Sequence, residues 1–581
     1  MSDRGTVEWW RAQIEAGVRY KELYGGSKEW STYRDYYRGN FTGYKANLGP
    51  KGGILPYNLT YAMKNALVTN TYFRNPYIML SPRYKPGFDV ISKMVEAMDN
   101  WLMSEMNMKK AMKHAVGSSF FTDRAFLKVG FDSKFGFDPQ AKRDTSTKKD
   151  GTRLEYDVNV SSGMPWVDSV PAENIVVPFG LLDGENNPWI DHIILRPLED
   201  VKADRKYSNT GELSGSHIEM LKKGDSRKSA FYADLLKDGE WVELHEIRDL
   251  RDGKIRVLAA GYDRWLREED DILQLDGLPF VDFQMNDDTE YFWGPSDARI
   301  LEPQQLEVNE ARTQAMKHRR ISLIKFIIQR TGMKPEEVDK MLSEEVGPAV
   351  FSEDDPSKVV TMLQPHVPPD LVSWVEVIRG DVRELMGMGR NQMGESEKSS
   401  RRSATESQIV QMASELRMDE RRDIVADALV KVMRKVNQIC FTFWTAEKVI
   451  QVVGYDGAKY WVKFSPSAVK GEYDLQVDVE SMTPSTKAMR RRDLVQLITG
   501  LGKNPNVNID YLLRALLREY PWIDAMKVLP ESPDTMQGPM SQEDFIKKQQ
   551  QLQQNPAMLQ ASARANGNAA SFGGEMGGGM E

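Results

Sequence analysis

The stretch from Ser296 to Thr445 constrains the fold of this chain more than any other part. Apolar residues recur there at helical spacing, which predicts three helices over about 303–320, 369–386 and 404–445. The third helix would reach about 60 Å, although helices of globular proteins average only about 11–12 residues. Long helices separated by an insert and a polar loop are typical of a part that lines or braces something, and not of a pocket.

The ends of the first two helices carry signals of their own. Pro303 is expected in the first turn of the first helix, where a missing N–H costs no hydrogen bond. Gly387 is expected to end the second helix in the left-handed region. The last turn of the first helix is cationic, which suits the helix dipole and offers a contact to DNA or to another subunit. Its residues are Lys317, His318, Arg319 and Arg320.

Two segments separate the three helices. The insert 321–367 predicts strands at 323–328, 349–351 and 359–363 and an acidic helix over 335–345. The loop 388–403 mixes Gly and Ser with four cations, which are Arg390, Lys398, Arg401 and Arg402. Two interpretations of the loop stay open. It is either a solvated connection, or a set of cations that copies around an axis present to a phosphate backbone without reading bases.

Residues 1–295 combine helical and strand patterns, which predicts an α+β fold. Aromatic rings alternate with cations in residues 1–50, and we favour amphipathic helices with inward rings over a surface that stacks single-stranded bases. Helices are predicted over 58–72 and 91–116, and the methionines of the second are expected to fill a core rather than to bind metal. From Phe126 to about Gln284, short β-branched and aromatic runs predict a mainly antiparallel sheet.

The C-terminal part changes character twice. Strands are predicted over 461–464 and 473–479, followed by helices over 485–498 and 510–519. Residues 531–581 contain no Val, Trp or Tyr and are rich in Gln and Gly. Such a composition cannot bury enough apolar surface to fold alone, so we expect this tail to be partly disordered.

Composition excludes several classes of protein. A chain of 581 residues is expected to contain more than one compact unit. Its net charge of −8 argues against a protein whose main task is to bind phosphates tightly. Any nucleic acid that it meets is expected to be guided or allowed past the protein rather than tightly held. Cys440 is the only cysteine, which excludes a disulfide framework and predicts a small core residue. We find no signal segment and no membrane span, which predicts an aqueous, reducing compartment.

No catalytic constellation emerges from the sequence. The phosphate cradle G-x-x-x-x-G-K-[ST] has no match, and the six histidines lack metal-binding spacing. The best acidic cluster is predicted to be a solvated turn rather than a metal-dependent nuclease site. Its members are Asp282, Asp287, Asp288 and Glu290. We therefore predict no enzyme, no metal and no cofactor.

Five short segments and the order of the elements resemble portal proteins of tailed double-stranded DNA bacteriophages. The segments are Tyr33–Gly39, Leu55-Pro56-Tyr57-Asn58, Tyr72-Phe73-Arg74-Asn75-Pro76, Gly294-Pro295-Ser296 and Gln305-x-x-x-Asn309-x-x-Arg312. The resemblance implies a ring, by family precedent a dodecamer, at one vertex of the capsid. Double-stranded DNA would be packaged and ejected through its channel.

The resemblance also implies a division of the chain. The regions are an N-terminal wing (1–295), a stem helix (296–320), a clip (321–367), a second stem helix (368–387), a tunnel loop (388–403), a long wing helix with returning strands (404–484), a helical crown (485–530) and the tail (531–581). The clip would face the large terminase subunit during filling and the head–tail adaptor and tail proteins afterwards. The major capsid protein and the scaffolding protein are further implied partners, with no membrane, and assembly in the host cytoplasm would place the ring in the virion.

Two other functions stay open on the sequence. The composition of the tail motivates a structural adaptor or scaffold of the virion that has no bore. The acidic group near Asp287 motivates a metal-dependent enzyme of phage DNA metabolism.

Overall fold

The computed structural model divides the chain into two compact units, Met1–Pro484 and Ser485–Glu581. It describes residues 5–23, 26–41, 55–82, 89–131, 164–204, 206–215, 240–273, 275–321, 325–328, 333–342, 350–352, 354–355, 359–363, 370–389, 404–444, 473–477, 487–501 and 509–518. The predictions for the loop 390–403, the strand over 461–464 and the tail 531–581 lie outside these residues.

Three helices open the first unit: α1 (Val7–Lys21), α2 (Gly26–Tyr37) and α3 (Leu59–Thr71). Thr6 and Asn58 cap α1 and α3, because their side chains accept hydrogen bonds from backbone N–H groups of the first turn. The rings of this region point inward, as predicted, and are buried at Trp10, Trp30, Tyr33 and Tyr36.

The strand β1 (Ile78–Pro82) precedes two helices, α4 (Asp89–Glu105) and α5 (Met108–Thr122). The sequence predicted one continuous helix over 91–116, and this prediction was wrong. Asn107 adopts a left-handed conformation with φ of 52°, which breaks the helix. Asparagine tolerates that region better than most residues, so the break falls on a suitable residue. The methionines Met94, Met98 and Met106 are buried in the core, as predicted.

Two antiparallel sheets follow, where the strand pattern predicted a single, mainly antiparallel sheet. The first contains β2 (Arg124–Phe131), β3 (Pro165–Val170) and, later in the chain, β9 (Phe280–Gln284). Its strand order is β3-β2-β9. The second contains five strands in sequential order. They are β4 (Ile175–Val176), β5 (Trp189–Pro197), β6 (Trp241–Asp249), β7 (Lys254–Ala259) and β8 (Arg267–Asp270), and the short helix α6 (Leu198–Ala203) follows β5.

The helix α7 (Asp297–Ile321) begins six residues earlier than predicted and places Pro303 inside the helix rather than in its first turn. Ser296 explains the earlier start, because its hydroxyl accepts a hydrogen bond from the N–H of Arg299 at 3.2 Å. The helix α9 (Asp370–Met386) matches its prediction. Gly387 follows it with φ of 64°, as predicted.

Between these helices lie β10 (Lys325–Ile328), α8 (Pro335–Leu342) and β11 (Val360–Leu363). The strands β10 and β11 pair antiparallel, with Phe326 opposite Met362. Val350 and Phe351 belong to no strand, which corrects the prediction for 349–351. Phe351 is 71 % exposed, so its ring has no place in a core of the described residues.

The helix α10 (Ala404–Phe443) has 40 residues, close to its predicted length. Its apolar face packs on α3 and on the first sheet, including β9. Burying each apolar side chain of this face contributes about 1.5–3 kcal/mol to the stability of the fold. The fully buried residues of this face are Val425, Leu429, Val432, Met433, Val436, Ile439 and Cys440. The strand β12 (Tyr473–Val477) then pairs antiparallel with β1, with Leu475 opposite Leu80.

The second unit contains two described helices, α11 (Lys487–Leu501) and α12 (Ile509–Arg518), which pack against each other. Both lie within one or a few residues of their predicted bounds.

Candidate functional site

The helices α7 and α9 pack side by side, and their contact is apolar. Ile378 and Val382 of α9 are buried in the same cluster as Val308 and Ala311 of α7. At the edge of this contact the indole N–H of Trp374 donates a hydrogen bond to Glu307 at 2.8 Å. We call α7 and α9 the helix pair.

A polar stripe on the other side of α7 holds the segment 55–60. Gln305, Asn309 and Thr313 follow each other at intervals of four residues and are almost fully buried. Asn309 Oδ1 accepts from the N–H of Tyr57 at 2.7 Å, and Thr313 Oγ1 accepts from the N–H of Leu55 at 3.0 Å. The stripe therefore supplies hydrogen bonds that an irregular segment cannot make to itself.

Gln305 completes the stripe with both ends of its amide. Its Oε1 accepts from the N–H of Thr60 at 3.0 Å, and its Nε2 donates to the carbonyl of Tyr57 at 2.8 Å. The guanidinium of Arg312 lies 4.7 Å from the centre of the Tyr57 ring. The polar spacing 305, 309 and 312 was visible in the sequence, but its binding partner was not.

The first turn of α7 is tied to the long helix α10. Both guanidinium NH groups of Arg421 donate to the carboxylate of Asp297, over 2.7 and 2.9 Å. The Asp297 side chain is 1 % exposed, so this is a buried, bidentate ion pair. Sequence reasoning missed the pair.

Asp123 lies beside this junction, between α5 and β2. Its carboxylate accepts from the N–H of Asn286 at 2.8 Å. Burial raises the pKa of Asp123 to about 7, and the nearby carboxylate of Asp297 adds to the rise. Asp123 is therefore a group that titrates near neutral pH where α5, β9 and α7 meet.

A face of α9 that borders its contact with α7 exposes large apolar side chains. Trp374, Val377 and Leu385 are each about half exposed, at 51, 47 and 48 %. Their spacing of three and eight residues places them on one side of the helix, with the exposed Asp381 between them. We call these three residues the apolar row.

The cationic end of α7 is partly described. Lys317 is half-buried, whereas His318 and Arg319 are exposed. None of the three pairs with a carboxylate within the described part of the chain. The side chain of Arg320 and the loop cations Arg390, Lys398, Arg401 and Arg402 lie outside the described side chains, so the roles of these residues stay predictions.

The acidic cluster does not form a metal centre in the described ranges. Asp282 is on the strand β9 and pairs with Arg124, which corrects the prediction that it belongs to a solvated turn. Asp287 and Glu290 are exposed in the turn that follows. Among the described residues, no group of three or more His, Cys, Asp or Glu side chains is arranged to hold a metal ion.

A family model described as phage SU10 portal protein matches residues 146–568, a range that includes the helix pair and α10. No curated protein matches the chain in sequence.

Proposed function

The chain belongs to the phage SU10 portal protein family, and from this premise we propose that copies of it form a ring whose channel carries double-stranded DNA into and out of the capsid. Membership of the family implies a capsid-associated oligomer of the virion. None of the helices among the described residues has the length and apolar character needed to cross a membrane.

We infer a role for each region from the portal resemblance. The helix pair forms the stem around the channel, 321–367 forms the clip, and 388–403 forms the tunnel loop. Residues 1–295 and 404–484 form the wing, and 485–530 form the crown. The partners of this arrangement are the large terminase subunit, head–tail adaptor and tail proteins, the major capsid protein and the scaffolding protein.

The apolar row is the observation that carries the ring. Soluble proteins rarely leave adjacent large apolar side chains exposed on one helix face, and such faces mark contacts with other proteins. One side of α9 is already covered by α7, and the apolar row borders that side, so the helix pair of a second copy can cover the row. Each copy then makes the same contact, which closes a ring of identical subunits.

The charge of the chain supports weak contact with DNA in the channel. A net charge of −8 keeps the surface from trapping a polyanion. His318 and Arg319 at the end of α7 form no ion pair with any described residue, and they offer a few sequence-independent phosphate contacts at one end of the stem. This balance suits a duplex that must slide.

Imaging of the purified full-length protein tests the ring. Negative staining together with mass measurement is expected to show rings with a central bore. A monodisperse monomer at high concentration, with no rings under any condition, would overturn the proposal. A closed particle with no bore would favour the structural adaptor instead.

A second experiment tests the tunnel loop. Arg401→Ala with Arg402→Ala is expected to leave ring assembly intact and to impair DNA packaging or retention. Lys28→Ala with Lys202→Ala removes the same charge from exposed positions elsewhere and serves as the control. Normal packaging by the loop variant would remove the role proposed for these cations.

A further inference from the structure

A face of α5, near the N-terminus of the chain, concentrates positive charge on this acidic protein. Lys109, Lys110 and His114 are exposed and Lys113 is half-buried, all in the first two turns of the helix. Their positions fall within one arc of the helix surface, at angles of roughly 0 to 140° for a rotation of about 100° per residue. The other side of these turns is buried in the core.

Lys64 of α3 joins the same face. A Cβ added to Gly117 would lie 3.0 Å from Lys64 Cε and 3.3 Å from its Nζ. The lysine therefore crosses α5 at Gly117, one turn beyond Lys113, and its ammonium lies 5.2 Å from the centre of the Tyr37 ring. We call Lys64, Lys109, Lys110 and Lys113 the cationic face.

No carboxylate among the described residues neutralises these charges. None of the four lysines forms an ion pair with a carboxylate in the described ranges. Glu105, the nearest acidic residue before α5, is exposed and pairs with none of them. Burial lowers the pKa of Lys113, and the charge of Lys109 lowers it further, which shows that the lysines repel one another.

The position of the lysines on the helix increases the repulsion. The first turn of α5 contains no acidic residue, and its N-cap Asn107 makes no side-chain hydrogen bond to it. A helix N-terminus carries partial positive charge and is stabilised by anions, so lysines there oppose the dipole. The arrangement is unfavourable for the isolated chain and becomes favourable when an external anion binds.

The chemistry of the face selects the kind of anion. Lys109 and Lys113 both cover the ring of Phe73, with ammonium groups 5.8 and 5.6 Å from its centre. The aromatic ring is thus capped by cations rather than offered as an anchor, and protein partners bind chiefly through buried aromatic and apolar anchors. Charge alone gives substantial affinity only with a dense polyanion that releases counterions.

We propose that the cationic face binds the phosphate backbone of duplex DNA at a site distinct from the channel cations. Lysine ammoniums act there as mobile point charges that position DNA without reading its sequence. The choice of duplex DNA as the polyanion rests on the proposed portal function. The face lies outside the matched range 146–568, so the family match does not account for it.

Binding of a random-sequence DNA duplex to the full-length protein, measured by fluorescence anisotropy against salt, tests this site. The variant is Lys109→Gln with Lys110→Gln and Lys113→Gln. Removing three phosphate contacts is expected to weaken binding about tenfold or more at about 0.1 M salt and to reduce the salt slope by about 3. The matched control is Lys28→Gln with Lys93→Gln and Lys202→Gln, three exposed lysines on other helices.

Three outcomes would overturn the site. Equal loss of DNA affinity in the face variant and in the control would mean that binding depends only on the net charge of the protein. Poly-glutamate serves as a second probe. If the triple variant of the cationic face loses more affinity for poly-glutamate than for DNA, the ligand is an acidic protein segment. Failure of the face variant, but not of the control, to form rings would identify a second copy of the chain.

The assay also separates this site from the proposed portal function. Absence of rings contradicts the ring proposal but leaves the comparison of the two triple variants readable. Rings with a bore, combined with unchanged DNA binding by the face variant, contradict only the cationic face.

Discussion

Arg421 of α10 holds the Asp297 carboxylate in a bidentate pair, with hydrogen bonds of 2.7 and 2.9 Å. The pair joins the middle of the longest helix to the first residue of α7. A displacement of α10 along its axis would therefore disturb the start of the helix pair, because the Asp297 carboxylate is buried at this contact.

Replacing Arg421 by Ala is expected to lower the free energy of unfolding by about 3–5 kcal/mol, because it leaves the Asp297 carboxylate buried without its partner. Urea unfolding followed by fluorescence measures the change. Arg19→Ala removes an exposed pair with Glu15 and is expected to cost at most about 1 kcal/mol. Equal midpoints for the two variants would show that the buried pair contributes no more than a surface pair.

Replacing Asn309 by Ala is expected to release the segment 55–60 from α7. The N–H of Tyr57 loses its acceptor, which costs about 1–3 kcal/mol for a buried donor. Hydrogen exchange of the amides in 55–60 should accelerate. In the control, Gln314→Ala breaks only a bond to Glu310 on the same helix, and exchange in 55–60 should stay as in the wild type. Unchanged exchange in the Asn309 variant would exclude the stripe as the anchor of this segment.

The contribution of Asp123 to the stability of the first unit is expected to fall as the pH rises from about 4 to 7. The pKa of Asp123 is raised to about 7 in the folded state, whereas an unfolded aspartate titrates near about 3.9. The contribution of Asp123 to the free energy of unfolding is therefore fully present below its pKa in the unfolded state. It is lost as the pH rises through its pKa in the folded state, and the total loss is at most about 4 kcal/mol.

Asp123→Asn removes this titration. The difference in unfolding free energy between wild type and variant should decline steadily from pH 4 to pH 7, because only the wild type must bury a charge at the higher pH. Unfolding midpoints at several pH values measure it. A constant difference across this range would show that another group causes the pH dependence.

Replacing Trp374 and Val377 by Ser is expected to weaken ring assembly without unfolding the subunit, because both side chains are about half exposed in the single chain. Loss of a tryptophan anchor from an interface costs about 2 kcal/mol or more. Analytical ultracentrifugation should show a shift toward monomer. Leu250→Ser, at an exposed apolar residue on a strand turn, serves as the control. Wild-type assembly by the double variant would exclude the apolar row as the ring contact.

Local pattern was sufficient for most elements. The helix over 404–443, the helix over 370–386 and the strands of both sheets follow from periodicity and from residues such as Gly387, because each signal acts within a few residues of where it is read. The inward rings of the first helices and the buried Cys440 follow from the same periodicity.

Local pattern failed where a single residue or a distant contact determines where a helix begins or ends. Asn107 turns one predicted helix into two through its own left-handed conformation, and a stripe of methionines on both sides conceals the break. Ser296 starts α7 early, although Pro303 offered a more familiar first-turn signal.

The sequence by itself determined the type and order of the elements, the absence of recognisable catalytic motifs and the resemblance to portal proteins. The tertiary structure decided which polar residues act together: Gln305 with Tyr57, Arg124 with Asp282, and Arg421 with Asp297. These partners are far apart along the chain. Periodicity reports which side of an element is buried, but the identity of a buried polar partner depends on how the elements pack, and only the folded chain fixes that.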